Sequence, residues 1–166
     1  MKPRVRIAST RTPDGGEMLL YQHDRDFSIT INGQDLMHSR QHESEQALAR
    51  LGCSHLAGRK APSILIGGLG MGYTLRQALD MLSPHAQVVV GELLGAVVEW
   101  NLEFLGELND QPLGDERVDL KTGDIVELIS RSRNRFDAIL LDVDNGPSVM
   151  TDSGNRRLYG LSLIHI

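Results

Sequence analysis

The sequence predicts an α/β domain built on a parallel sheet of about four strands, preceded by a small antiparallel β unit. Three observations carry that prediction. From residue 63 onward, short apolar runs alternate with stretches of helical period, the signature of βαβ units. The first of those runs opens into a turn rich in glycine, with Gly67, Gly68, Gly70 and Gly72. Before residue 39 the pattern has a period of two, with a hairpin signal at Asn32-Gly33. With 166 residues, 40% of them hydrophobic, the chain can bury one core and a small appendage.

Taken in order, residues 1–16 end in the turn signal Thr12-Pro13-Asp14-Gly15-Gly16. Their basic residues Lys2, Arg4, Arg6 and Arg11 read as a solvated, partly frayed end. Strands are expected at 17–22 and 27–31, where Phe27, Ile29 and Ile31 alternate with Ser28 and Thr30, and again at 34–37 after Asn32-Gly33. Residues 41–56 read as a helix with Ala47, Leu48, Leu51 and Leu56 on its inner face, ended by Gly58. A buried strand at 63–66 leads into the glycines. The helix beyond them buries Leu75, Ala78, Leu79 and Leu82 and stops at Ser83-Pro84. Strand 87–90, helix 94–105, strand 118–121, helix 125–130 and strand 138–141 complete the alternation. Division into a β unit at 1–38, a ligand-binding domain at 39–160 and a non-native tail at 161–166 is expected.

Composition narrows the function classes. Lysine and arginine total 17 against 22 acids, a net charge of −5, so no general attraction to nucleic acid or anionic membrane is expected. Cys53 stands alone, which excludes an intrachain disulfide and a thiolate metal cluster; this usage, with no apolar signal segment, leads to the expectation of a soluble cytoplasmic protein. His38 and His42 share helical spacing but have no third ligand nearby, so no metal site is expected. Trp100 reads as a packing residue, and Arg156 and Arg157 as surface.

The turn after residue 66 carries the chemistry. Glycines there permit positive φ and let the main chain approach a ligand that a Cβ would push away, while the following helix N-terminus offers unpaired N–H groups. A nucleotide P-loop requires Gly-Lys-Ser/Thr at its end, which is absent. The dinucleotide fingerprint has G-x-G-x-x-G, whereas Gly68, Gly70 and Gly72 make G-x-G-x-G. That spacing resembles the Rossmann-like folds of S-adenosylmethionine-dependent methyltransferases. The plain alternative is a tight turn without a ligand.

Acids close the following strands. Glu92 lies 20 residues after Gly72, where a carboxylate can accept from both hydroxyls of a ribose; the alternative is a solvated acid. Asp124 can accept from the exocyclic amine of adenine or cap the helix that begins at residue 125, roles that are compatible. Asp142 is the candidate catalytic acid, placed across the pocket from Gly68 to orient or deprotonate an attacking amine. Asp144 is the next candidate, and Asp137 reads as structural.

Together, Gly67-Gly68-x-Gly70-x-Gly72 with Thr74-Leu75-Arg76, Glu92, Gly123-Asp124 and Leu140-Leu141-Asp142 leading to Gly146-Pro147 resemble the spermidine synthases, or polyamine aminopropyltransferases. Met150-Thr151 and Leu158-Tyr159 resemble later landmarks, so the likeness covers roughly residues 17–160. It implies decarboxylated S-adenosylmethionine as co-substrate, a small amine as acceptor, no metal, Asp142 as catalytic acid, Glu92 as ribose ligand, and a homodimer. The family's loop carries an acid where this chain has Gly70, and its second acid after the strand appears here as Asn145. The family continues for further strands, so truncation of the chain is expected. Three readings follow: an aminopropyltransferase-like enzyme, a methyltransferase using S-adenosylmethionine itself, or an inactive, binding-only remnant of the fold.

Overall fold

In the computed structural model, which describes residues 3–132 and 135–143, two four-stranded sheets follow one another along the chain. The first is an antiparallel meander of β1 (Val5–Arg11), β2 (Glu17–His23), β3 (Asp26–Ile31) and β4 (Gln34–His38), in that spatial order. Asn32-Gly33 closes the β3–β4 hairpin, with φ of 49° and 79°. Met18, Leu20, Ile29 and Ile31 are buried in it.

Strand β1 departs from expectation: residues 5–11 pair with β2 and are not frayed. The cations that suggested solvation are compatible with a strand because an edge strand keeps much of its side-chain surface open. The Arg4 guanidinium, just before it, lies 4.0 Å over the Tyr21 ring and donates to Ser28 Oγ at 2.8 Å. A mixed basic and apolar run can therefore pair without being buried.

The second sheet is parallel, with strands β5 (Ser63–Gly67), β6 (Gln87–Glu92), β7 (Val118–Thr122) and β8 (Ala138–Leu141) in the order β7-β6-β5-β8. Its central strands β5 and β6 bury both faces. Ile64, Ile66, Val88, Val90 and Leu140 face one core, while Leu65 and Val89 face the other with Ile125, Val126 and Ile129 of α4 (Ile125–Arg131). This two-sided burial explains why β5 and β6 read as continuous apolar runs.

Helices α1 (Glu43–Cys53) and α2 (Tyr73–Met81) pack against each other, and α1 also lies on β8. Leu75, Ala78, Leu79 and Leu82 are buried as the periodicity predicts. The expected face of α1 holds in part: Leu48 packs against the core and Leu56 is buried, but Ala49 and Cys53 are the buried residues of the helix and Leu51 is 78% exposed. Small residues decide this face: a Cβ on Gly52 would lie 3.1 Å from Leu140 Cγ, so the helix approaches β8 closely through its smallest side chains. After β6, the expected helix at 94–105 is divided into α3 (Gly95–Trp100), a π-turn at Asn101–Leu105 and a 3-10 turn at Gly106–Asn109. No helix among the described residues is long and apolar enough to cross a membrane.

Leu140, only 1% exposed, fills the space that Gly52 leaves between α1 and the sheet. Leu140→Ala is expected to lower stability by about 2–5 kcal/mol, read as a shift in the urea midpoint with an unchanged slope.

Candidate active site

The order β7-β6-β5-β8 reverses direction between β5 and β8, so connections leave their carboxyl ends on opposite sides of the sheet. Such a switch point is where open α/β sheets bind ligands. The glycine turn leaves β5 there, and Asp142 leaves β8 beside it.

Backbone hydrogen bonds set this junction. The Asp142 N–H donates to the Gly67 carbonyl at 2.7 Å, and the Gly68 N–H donates across to the Gly91 carbonyl at 2.8 Å. Gly68 has φ of +94°, and a Cβ there would lie 2.1 Å from the Asp142 carbonyl oxygen. No rotamer relieves a clash between Cβ and backbone, so residue 68 must be glycine for the β8 exit to pass. Gly72, at φ +85°, turns the chain into the start of α2, and its N–H closes the turn on the Leu69 carbonyl at 2.9 Å. Gly70 sits beneath Met37 of β4, whose Sδ would be 3.4 Å from an added Cβ.

Glu92, at the end of β6, points into this turn and is 8% exposed. Its Oε2 accepts from the Leu69 N–H at 2.9 Å and its Oε1 from the Leu94 N–H at 2.8 Å. Each oxygen keeps a lone pair after these bonds, so the anchored carboxylate can still accept two more donors. Asp142 lies across the turn, where Thr74 Oγ1 donates to its Oδ2 at 2.6 Å. Burial pushes the Asp142 carboxyl above its ordinary value of 3.8; the Thr74 bond opposes that shift, and the nearby Glu45 and Glu92 charges add to it. Among the described residues no lysine or arginine forms an ion pair with Glu92 or Asp142.

Asp124 caps α4, accepting from the Val126 N–H at 2.8 Å. One of its carboxylate oxygens has no part in that bond, so the cap leaves it an acceptor position. Asp137 stands at the opposite end of β8, where it accepts from the Ser63 N–H at 2.8 Å and pairs with Arg59, tying β8 to β5. Asp144, Asn145, Gly146, Pro147, Met150, Thr151, Arg156, Arg157, Leu158, Tyr159 and the tail at 161–166 lie outside the described residues.

The structure adds groups that sequence reasoning did not single out. Tyr73 donates to the Ser39 carbonyl at 2.9 Å and stacks on His42, with ring centroids 4.2 Å apart, so the segment between β4 and α1 covers the start of α2. Asn101 and Asn109, buried after α3, donate to the Gly70 and Met71 carbonyls, both at 2.7 Å. Two asparagines soon after the Glu92 strand were the available signal, but residues so placed read equally well as helix surface.

No family model matches the chain. It is 34% identical over 89 residues to the polyamine aminopropyltransferase of Thermoanaerobacter sp. (strain X514), covering 52% of this chain and 31% of that protein. It is 33% identical over 81 residues to the polyamine aminopropyltransferase of Saccharolobus solfataricus, covering 49% and 27%. The chain thus spans about a third of the length of the curated relatives it matches. Its fold superimposes on the crystal structure of spermidine synthase from Thermotoga maritima with a TM-score of 0.69 at 21% identity, covering 82% of this chain and 47% of that one. A second match is a spermidine synthase in complex with the transition-state analogue AdoDATO, also at a TM-score of 0.69 and 21% identity, with the same coverage. A probable spermidine synthase from Corynebacterium glutamicum ATCC 13032 matches at a TM-score of 0.62 and 16% identity, covering 93% and 56%. Over the part it spans, the chain is similar in sequence to polyamine aminopropyltransferases and shares its fold with the solved spermidine synthases.

Proposed function

We propose that this chain forms the co-substrate-binding part of a transferase that moves an aminopropyl group from decarboxylated S-adenosylmethionine to a small amine. The observation that carries the reading is the pairing at the switch point: a half-buried, proton-attracting Asp142 on one side of a glycine turn and the anchored Glu92 on the other. The site fits an adenosyl sulfonium. Gly68 and Gly72 leave main chain without side chains, and Glu92 has acceptor positions free for the ribose hydroxyls. Asp124 has acceptor capacity for an adenine amine beyond its role as a cap. The buried carboxylates favour a cationic ligand over a neutral one.

Asp142 draws in the protonated amine and takes its proton, freeing the nitrogen lone pair. The nitrogen then forms a bond to the carbon beside the sulfonium while the C–S bond breaks. Its electron pair stays on sulfur, giving neutral methylthioadenosine. Thr74 holds the Asp142 carboxyl in place during this transfer. Positioning of nucleophile and sulfonium in line supplies most of the acceleration, with proton transfer adding about 10²–10⁴-fold. One observation favours methyl transfer as a second reading. Gly70 stands where the relatives' loop carries an acid, so the turn has no side-chain charge to oppose the carboxylate of S-adenosylmethionine itself.

Calorimetric titration of the protein with both sulfonium ligands separates the readings. Tighter binding of the decarboxylated form, with amine-dependent release of methylthioadenosine, is expected. Tighter binding of S-adenosylmethionine with methyl transfer would replace the first reading by the second, and binding without turnover would reject both.

Substitution tests the assigned roles. Asp142→Asn is expected to lower kcat by about 10²–10⁴-fold while the co-substrate Kd stays within a few-fold. The same variant has a stability signature. Because the folded-state value of Asp142 is raised, the native protein holds this proton more tightly than the unfolded chain, and ionisation at neutral pH disfavours folding. Asp142→Asn should therefore melt higher than the parent at pH 7, and the difference should shrink as pH falls through the raised folded-state value toward 3.8 and be gone below it, read by thermal scans across that range. Glu92→Gln loses charged acceptance toward Leu69, Leu94 and the ribose together. A loss of about 10- to 100-fold in nucleoside affinity is expected by calorimetry.

A further inference from the structure

Asn101 is 3% exposed and opens the π-turn, yet its Oδ1 has no donor. The amide orientation is fixed by its surroundings: Nδ2 faces two carbonyls, Gly70 at 2.7 Å and Val97 at 2.9 Å, and only an NH2 group can serve both. The orphan is therefore the oxygen. It lies over Gly72, 3.4 Å from where a Cβ would be, with Asn109 Nδ2 at 3.5 Å from the same point. A buried unsatisfied acceptor is destabilising, a cost that an apolar side chain would avoid. What the amide gains in return is control of the glycine turn. In a trans peptide the carbonyl and the next N–H point in opposite directions. Drawing the Gly70 carbonyl toward Asn101 thus turns the Met71 N–H away from it. Three other N–H groups of the turn are occupied: Gly68 on Gly91, Leu69 on Glu92, and Gly72 on Leu69.

We propose that Asn101, together with Asn109 on the Met71 carbonyl, is a positioning residue that sets the Gly70–Met71 peptide so that its N–H serves as a hydrogen-bond donor to the bound nucleoside. The π-turn exists to bring Asn101 under the loop, in line with the frequent placement of such bulges at functional sites. The inference rests on the adenosyl-ligand reading but not on which group is transferred.

The test uses the full chain and 5′-methylthioadenosine as probe. Asn101→Asp and Asn109→Asp keep the shape of each side chain and replace the donor by an acceptor. Variants that retain the parent's far-UV spectrum and cooperative melt are expected to bind the probe at least about 10-fold more weakly. In the unsubstituted protein labelled with ¹⁵N-methionine, the Met71 amide resonance is expected to shift on saturation. Should Asn101→Asp not fold, Asn109→Asp and the Met71 amide decide the matter. Folded variants that bind within twofold of the parent, or a Met71 amide indifferent to saturating ligand, overturn the proposal. Retained nucleoside binding with no amine-dependent transfer instead rejects the aminopropyl reading and leaves this one standing, whereas a parent that binds no nucleoside overturns both.

Discussion

Two segments of main chain pass within touching distance where β5 and β8 end, and the rest of the site depends on that approach. The Gly68 Cα faces the Asp142 carbonyl so closely that a Cβ would lie 2.1 Å from the oxygen. The contact is between backbones, so side-chain rearrangement cannot absorb an intruding atom. It holds because β5 and β8 are in parallel register through Gly67 and Leu141, and because each strand hands one hydrogen bond to the next at the exit. The same approach places the Asp142 side chain against Thr74 at the start of α2. Thus the catalytic candidate is positioned by sheet register and one glycine.

The electrostatics follow from that geometry. Buried Glu92 and half-buried Asp142 lie near each other, and neither forms an ion pair with a cation among the described residues. The chain treats them differently. Glu92 receives two backbone N–H groups and is held as an anchor, whereas Asp142 has a single hydroxyl and is driven toward its protonated form. Two nearby carboxylates thereby differ in their surroundings, one held by main-chain donors and the other with a raised affinity for its proton.

Much of this was legible in the sequence because its causes are local. Continuous apolar runs mark doubly covered strands, the glycine spacing marks the turn, and an acid after each strand marks the ligand edge. Strand β8 occupies 138–141 as read, and Asp124 caps α4 as its position before the helix suggests. The failures have non-local causes. β1 was hidden because its alternating basic residues looked solvated, whereas pairing with β2 and the Tyr21 ring accommodates them. On α1, Leu48 and Leu56 turn inward as expected but Leu51 does not, because close approach through Gly52 to Leu140, from a strand 88 positions away, outweighs the hydrophobicity of Leu51. The π-turn was invisible for the same reason: its cause is the carbonyl of Gly70, 31 residues earlier.

The departure at Gly70 gains a physical meaning from the first sheet. Met37 of β4 covers that residue, with Sδ 3.4 Å and Cε 3.6 Å from an added Cβ. An acid at position 70 would press its carboxylate against a thioether and require φ of +53°, a conformation that L side chains adopt rarely. The absence of the acid and the presence of the methionine are therefore one structural fact, because either alone would leave a clash or a void. An apolar side chain thus closes the turn on the side of the first sheet, while the carboxyl at the β8 exit, Asp142, lies near the charges of Glu45 and Glu92.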